Sequence, residues 1–215
     1  AVAGFQRDTI EAIYRPLDNL AIVATLCADG NIGKAIVGSV THCLCMQPDS
    51  EDWAMLERAF CSPSLQMASL TITEKGYNYL ATDGSVLPAV QADMNSRPAD
   101  SASYLGRIAA LCHDRYVAGA FPIALVSMDN CSHNGSKLES AMLAIADAWE
   151  EKGLCEKGFA AYLRDRNRVA FPWSMIDKIT PRPDDSVRQM LEDDGLEDLG
   201  MHMTAHRSFV APFVN

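Results

Sequence analysis

The chain has 215 residues, 48% hydrophobic and 21% charged, with a net charge of −10. That is the composition of an ordinary globular protein of one large or two small domains, and its acidity argues against a nucleic-acid partner, which would need a basic face. No run approaches the roughly 20 apolar residues that span a bilayer, and the opening AVAGFQRD lacks the basic-then-apolar order of a signal peptide, so no membrane or export role is expected. The seven cysteines (Cys27, Cys43, Cys45, Cys61, Cys112, Cys131 and Cys155) are odd in number and lack CxxC spacing. They read as buried or partly buried free thiols in a reducing cytoplasm rather than a disulfide framework or a metal site.

Leu20 to Leu26, LAIVATL, is short, apolar and partly β-branched, as a buried strand should be. The turn residues Ala28-Asp29-Gly30-Asn31 follow, and Lys34 to Val40 reads as the returning strand of a hairpin. Ser50 is a candidate N-cap for EDWAMLERAF, whose acidic start suits the first helical turn and whose Trp53, Leu56 and Phe60 share a face. Leu65 to Ile72 reads as a central strand. Residues 78–100 are polar, turn-rich and without period, and predict a long surface excursion.

Residues 103–118 predict a helix with Leu105, Ile108, Leu111 or Cys112, and Tyr116 inward. Phe121 to Ser127 is another buried strand, running into MDNCSHNG. There Asn134-Gly135 reads as a turn, and Ser136 with Glu139 matches a capping box for a helix that buries Leu138, Met142, Ile145 and Trp149. A short strand over Arg168 to Phe171 and an acidic surface helix over 184–193 complete the reading. Alternating strands and helices, with apolar strands, predict an α/β fold with a mostly parallel sheet. Ligands of such sheets sit beyond the carboxyl ends of the strands. Three polar clusters lie at such ends: Thr71 to Tyr77, Asp129 to Asn134, and Ser174 to Lys178.

Three segments in this order, SLTITEKGY (Ser69 to Tyr77), VSMDNCSHNG (Val126 to Gly135) and FPWSMIDKITP (Phe171 to Pro181), resemble the mannitol dehydrogenase family of polyol dehydrogenases, which includes mannitol, fructuronate and tagaturonate oxidoreductases. The resemblance implies a Rossmann-like domain followed by a mostly helical substrate domain. It also implies metal-independent hydride transfer between NAD and a small polyol or sugar acid. The family's glycine-rich fingerprint has no counterpart near Ala1, where Gly4 stands alone, and its K-x-x-x-x-N-x-x-H motif does not occur before Asn215. The expectation is therefore a partial nucleotide-binding domain, cut at both ends and inactive by itself.

On this resemblance Asn130 matches the family's CDN asparagine, whose amide would donate to the developing alkoxide; the plainer reading is a strand-end turn contact. Asp177 matches the acid of the family's MVDR segment and would bind substrate hydroxyls or orient the lysine; the plainer reading is an ion pair with Lys178 or an arginine. Thr71, Thr73 and Glu74 fall where the nicotinamide ribose of NAD is expected, although threonine and glutamate also favour helix starts. Two competing functions remain open at this point. A non-catalytic α/β binding or interaction module would retain the fold without the chemistry. A metal-dependent hydrolase would rest on His202 and His206 alone, which lack the carboxylate or cysteine that completes a site.

Overall fold

Hydrophobic pattern and capping chemistry place most of the secondary structure where the sequence predicts it. The computed structural model describes residues 1–5, 7–27, 29, 32–176, 182–203 and 209–214. The first elements in chain order are β1 (Val2–Gly4), a short helical stretch over residues 7–17, β2 (Ala21–Leu26), β3 (Ile32–Val37), β4 (Cys43–Cys45), α1 (Glu51–Cys61), β5 (Met67–Leu70), α2 (Pro88–Asp93) and α3 (Tyr104–Val117). They are followed by β6 (Ile123–Ser127), α4 (Asn134–Glu151), α5 (Phe159–Arg164), β7 (Val169–Ala170), α6 (Asp185–Asp193), β8 (His202–Met203), β9 (Phe209–Val210) and β10 (Phe213–Val214). The chain forms two compact units, Ala1–Gln47 with Lys178–Asn215, and Pro48–Asp177.

In the first unit β2 and β3 pair antiparallel from Ala21 opposite Val37 to Leu26 opposite Ile32, as the two apolar runs predict. Gly30 of the expected turn lies outside the described residues. β10 joins the other edge of β2 in parallel. Helix α6 is capped by Asp184, whose carboxylate accepts from the Ser186 N–H. It buries Val187 and Leu191 against Ala24, Leu199, Ala211 and Phe213, so it has a core face and is not wholly a surface helix. β1 pairs with β4 in parallel, and Cys43 and Cys45 pack with Ile10, whereas Cys27 is exposed, against the expectation that every cysteine is at least partly buried.

In the second unit β5, β6 and β7 form a parallel sheet with β6 in the centre. Ser50 caps α1 through its hydroxyl, 3.1 Å from the Trp53 N–H, and Trp53, Leu56 and Phe60 are buried as expected. Along α3, Leu105, Ile108, Leu111 and Cys112 are buried, while Tyr116 is only half-buried. Leu138, Met142, Ile145 and Trp149 of α4 are fully buried, and with Leu125, Phe159 and Leu163 they make the core.

Two expectations need correction here. Residues 78–100 are not a surface excursion throughout. They contain α2, and Val90, Asp93 and Met94 are buried. Asp93 accepts from the N–H groups of Ala102 (2.8 Å) and Ser103 (2.9 Å), ahead of α3, and its carbonyl accepts from the Trp149 indole (2.8 Å). The segment lacks a period because it is pinned at isolated points. The second correction concerns Ser136 and Glu139. Helix α4 starts earlier, at Asn134, with His133 in the left-handed region at φ 55°, so the two residues lie inside the helix and form no capping box.

The amino ends of β5 and β6 are tied together by Arg115, which is fully buried. Its guanidinium donates to the carbonyls of Phe60 (2.5 Å), Ser62 (2.8 Å), Leu65 (2.7 Å), Phe121 (2.9 Å) and Pro122 (2.7 Å). One planar group with five donors thus meets a carbonyl in the last turn of α1 and four in the connections ahead of β5 and β6.

Candidate active site

The opposite, carboxyl ends of β5 and β6 carry two of the three polar clusters. A strand end leaves backbone N–H groups without a ladder partner, and here one carboxylate collects them. Asp129, two residues past β6, accepts from the N–H of Ile72 (2.8 Å) and of Thr73 (3.2 Å), and its Oδ2 lies 2.6 Å from the Tyr77 hydroxyl. That hydroxyl is also 2.9 Å from the Leu70 carbonyl. Burial, and then the bond to Asp129, raise the Tyr77 pKa, which keeps the phenol protonated as a donor.

The chain around this carboxylate is held in unusual shapes. Thr73 has φ 66° and ψ 158°, a region costly for a residue with a Cβ. Immediately after it, residues 74–77 make a single tight turn, and Glu74 reaches Lys137 of α4 at 3.5 Å. Glu74 is well exposed, so the pair orients more than it stabilises.

The third cluster is joined to the second by Asn134, at the first turn of α4. Asn134 is buried, and its amide donates to the Asp129 carbonyl (3.2 Å), the Ser174 carbonyl (3.0 Å) and the Ser174 hydroxyl (2.9 Å). Its Oδ1 accepts from the N–H of Gly135 (2.8 Å) and of Ser174 (3.1 Å). The Ser174 hydroxyl in turn donates to the Ser127 carbonyl at the end of β6. Gly135 permits this approach, because a Cβ there would stand 2.5 Å from the Phe171 carbonyl oxygen and 2.6 Å from that of Pro172. Trp173 lies over the same helix start, with its indole N–H on the Ser136 hydroxyl (2.9 Å) and its ring edge-on to His133 at 4.5 Å.

The residues singled out in the sequence fall as follows. Thr71, Thr73 and Glu74 are exposed just beyond β5, and Asn130 is exposed just beyond β6. The bonds of Asp129 bring the two groups to one rim, since Thr73 is bonded to the residue that precedes Asn130. Among the described residues the Asn130 amide has no hydrogen-bond partner. Asp177 and His206 lie outside the described residues, so Asp177 is not placed beside Glu74 and Asn130 here and the His202–His206 pair is not tested. Among the described residues no group of three His, Cys, Asp or Glu side chains could hold a metal. Sequence reasoning missed Tyr77 and Ser174 and took Asn134 for a turn. The only available signal was the placement of Asp129 at a strand end, where a carboxylate commonly caps unpaired amides.

A family model described as the mannitol dehydrogenase Rossmann domain matches residues 16–199. The chain belongs to the mannitol dehydrogenase family. Its α/β fold, with mostly parallel strand pairings, is Rossmann-like. Among curated relatives, the D-mannonate oxidoreductase of Thermotoga maritima is 44% identical over 211 residues, covering 98% of this chain and 39% of the relative. The mannitol 2-dehydrogenase of Cereibacter sphaeroides is 31% identical over 184 residues, covering 84% of this chain and 36% of the relative. Among solved structures, the Pseudomonas fluorescens mannitol 2-dehydrogenase, in a ternary complex with NAD and D-mannitol, matches with a TM-score of 0.74 at 28% identity, covering 99% of this chain and 41% of that one. The chain thus spans about two fifths of the length of these members of the mannitol dehydrogenase family.

Proposed function

We propose that the chain is the nucleotide-binding part of an NAD-dependent oxidoreductase that moves a hydride between a polyol or sugar acid and its keto form. The mannitol/fructose and mannonate/fructuronate pairs are the candidate substrates. The observation that carries the reading is the Asn130 amide, which is exposed and unpartnered among the described residues at the carboxyl edge of a parallel sheet. That edge is where Rossmann-like folds bind their ligands. The rim fits the ribose and nicotinamide end of NAD. It offers the hydroxyls of Thr71 and Thr73, the Glu74 carboxylate and the Asn130 amide, and Lys137 of α4 pairs with Glu74. Such groups suit the hydroxyls of a ribose. A pyrophosphate wants a helix start rich in glycine, and the G-x-G spacing of such a start does not occur in this sequence.

NAD, when bound, supplies the hydride acceptor for the alcohol. The residues of this chain have distinct tasks. Asn130 donates an amide N–H to the substrate oxygen as negative charge builds on it, which one such donor can turn into about a 10²- to 10³-fold gain in rate. Thr71, Thr73 and Glu74 accept from or donate to the ribose hydroxyls, and Asp177 binds substrate hydroxyls or orients the base. The base itself belongs, by the family resemblance, to the K-x-x-x-x-N-x-x-H motif, which is not among these residues. The isolated 215-residue chain should therefore bind NAD weakly and turn nothing over. The partners are small molecules and not nucleic acid, and free thiols at all seven cysteines suit a cytoplasmic setting.

The test is NADH formation or consumption by the complete gene product with mannitol, D-mannonate, fructose and fructuronate, beside the isolated chain. Turnover of one of these pairs by the complete protein supports the assignment. Turnover by the isolated chain would overturn the division of labour described above.

A further inference from the structure

Asp129 is half-buried at the rim, and its side chain is engaged by the end of the neighbouring strand. Its two oxygens serve three donors from the end of β5: the N–H of Ile72, the N–H of Thr73 and the Tyr77 hydroxyl. Its carbonyl accepts from Asn134 and from the Cys131 N–H (2.9 Å). Thr73, strained at φ 66°, donates its N–H to this carboxylate, one of the contacts that can hold such a backbone in place. The next residue in one direction is Glu74 and in the other Asn130. We propose that Asp129 is a positioning residue for the hydride-transfer site: it locks the ends of β5 and β6 in one register and so fixes where Asn130 stands relative to Thr73 and Glu74. The inference rests on the proposed function, because it gives Asp129 a catalytic consequence only if Asn130 faces the substrate oxygen.

The chemistry of an amide makes this testable. In Asp129→Asn one oxygen still accepts, but the NH₂ that replaces the other is a donor facing donors, so one of the three bonds becomes a repulsion. The fold has other anchors, including the Arg115 carbonyl cage and the Asn134–Ser174 bonds. The loss should therefore appear as misplacement. A misplacement of about 1 Å at a remote support can cost about 100-fold in rate.

The experiment compares wild type, Asp129→Asn, Tyr77→Phe and Asn130→Ala in the complete protein, using the substrate it oxidises with hydrogen or deuterium on the carbinol carbon. Asp129→Asn should lower kcat roughly 10- to 100-fold and raise the deuterium isotope effect on kcat as hydride transfer becomes slower than product release. Tyr77→Phe, which removes one of the three donors and leaves the Asp129 carboxylate intact, should shift the isotope effect in the same sense by less. It also decides the matter if Asp129→Asn does not fold. A purely structural role would lower the yield of active enzyme with the isotope effect unchanged, and that result overturns the proposal. Asn130→Ala separates the two claims: full activity in that variant would remove the role of Asn130, whereas a wild-type isotope effect in both Asp129→Asn and Tyr77→Phe would remove only that of Asp129.

Discussion

Asn134 and Ser174, 40 positions apart, exchange hydrogen bonds in both directions: the Asn134 amide donates to the Ser174 carbonyl and hydroxyl, and the Ser174 N–H donates back to Asn134 Oδ1. This pairing attaches the loop that leads towards Asp177 to the first turn of α4. Asn134 is buried and Ser174 is half-buried. Asn134→Ala would strand several buried donors and acceptors at once, and unfolding in urea should show a loss of about 2–4 kcal/mol. Ser174→Ala should cost less, since the Ser174 backbone bonds survive. Equal, negligible effects of both would mean the loop is held by other contacts.

Arg115 makes a second prediction, at the other end of the sheet. Arg115→Met keeps much of the packing volume but takes the guanidinium from the carbonyls of Phe60, Leu65 and Pro122, while Phe121 keeps the Tyr162 hydroxyl and Ser62 keeps the Leu65 N–H; an unmet buried acceptor costs about 1–3 kcal/mol before relaxation. Thermal unfolding followed by circular dichroism should show a large drop in Tm. Arg115→Lys should rescue only part of it, because an ammonium has three donors in place of a five-donor fork.

Stability should also depend on pH through His113, which donates from Nε2 to Glu156 and has Asp114 Oδ1 3.8 Å from Nδ1. Burial alone would lower the His113 pKa, but the neighbouring Asp114 and Glu156 carboxylates outweigh it and leave the pKa raised. The bond from His113, aided by a backbone bond, holds Glu156 low. A raised histidine contributes stability that is complete below its unfolded pKa of about 6.5 and is lost as pH rises through the folded value. A lowered glutamate contributes stability that is present above its unfolded value and is lost as pH falls through the folded one. The pair should therefore be most stabilising at mildly acidic pH, between about 4.5 and 6.5. Urea midpoints measured from pH 5 to 9 should fall on the alkaline side in wild type and flatten in His113→Gln.

The elements legible in the sequence were those with a strong local cause. The β2–β3 pair followed from two apolar runs, α1 from Ser50 and its acidic first turn, and α4 from four residues at helical spacing that are all fully buried. The start of α4 was misread because Ser136 and Glu139 imitate a capping box, whereas the helix begins where Asn134 is held by Ser174, a tertiary contact invisible to local pattern. Residues 78–100 were misread because Asp93 is bonded ahead of α3 and to Trp149, through single contacts that leave no period. At the candidate site, Asn130, Thr73 and Glu74 were found through the family motifs. Their mutual support through Asp129 and Tyr77 was not, because it joins strand ends that only the folded sheet brings together.

The central claim is that the Asn130 amide stabilises the oxygen of a substrate undergoing hydride transfer. The most direct measurement is kcat and the NAD dissociation constant of Asn130→Ala in the complete protein, with the substrate that wild type turns over. The account predicts a fall in kcat of roughly 10²- to 10³-fold with nearly unchanged NAD affinity, since the amide acts on the alkoxide and not on the cofactor. An unchanged kcat would contradict it and leave Asn130 as a turn residue at the end of β6.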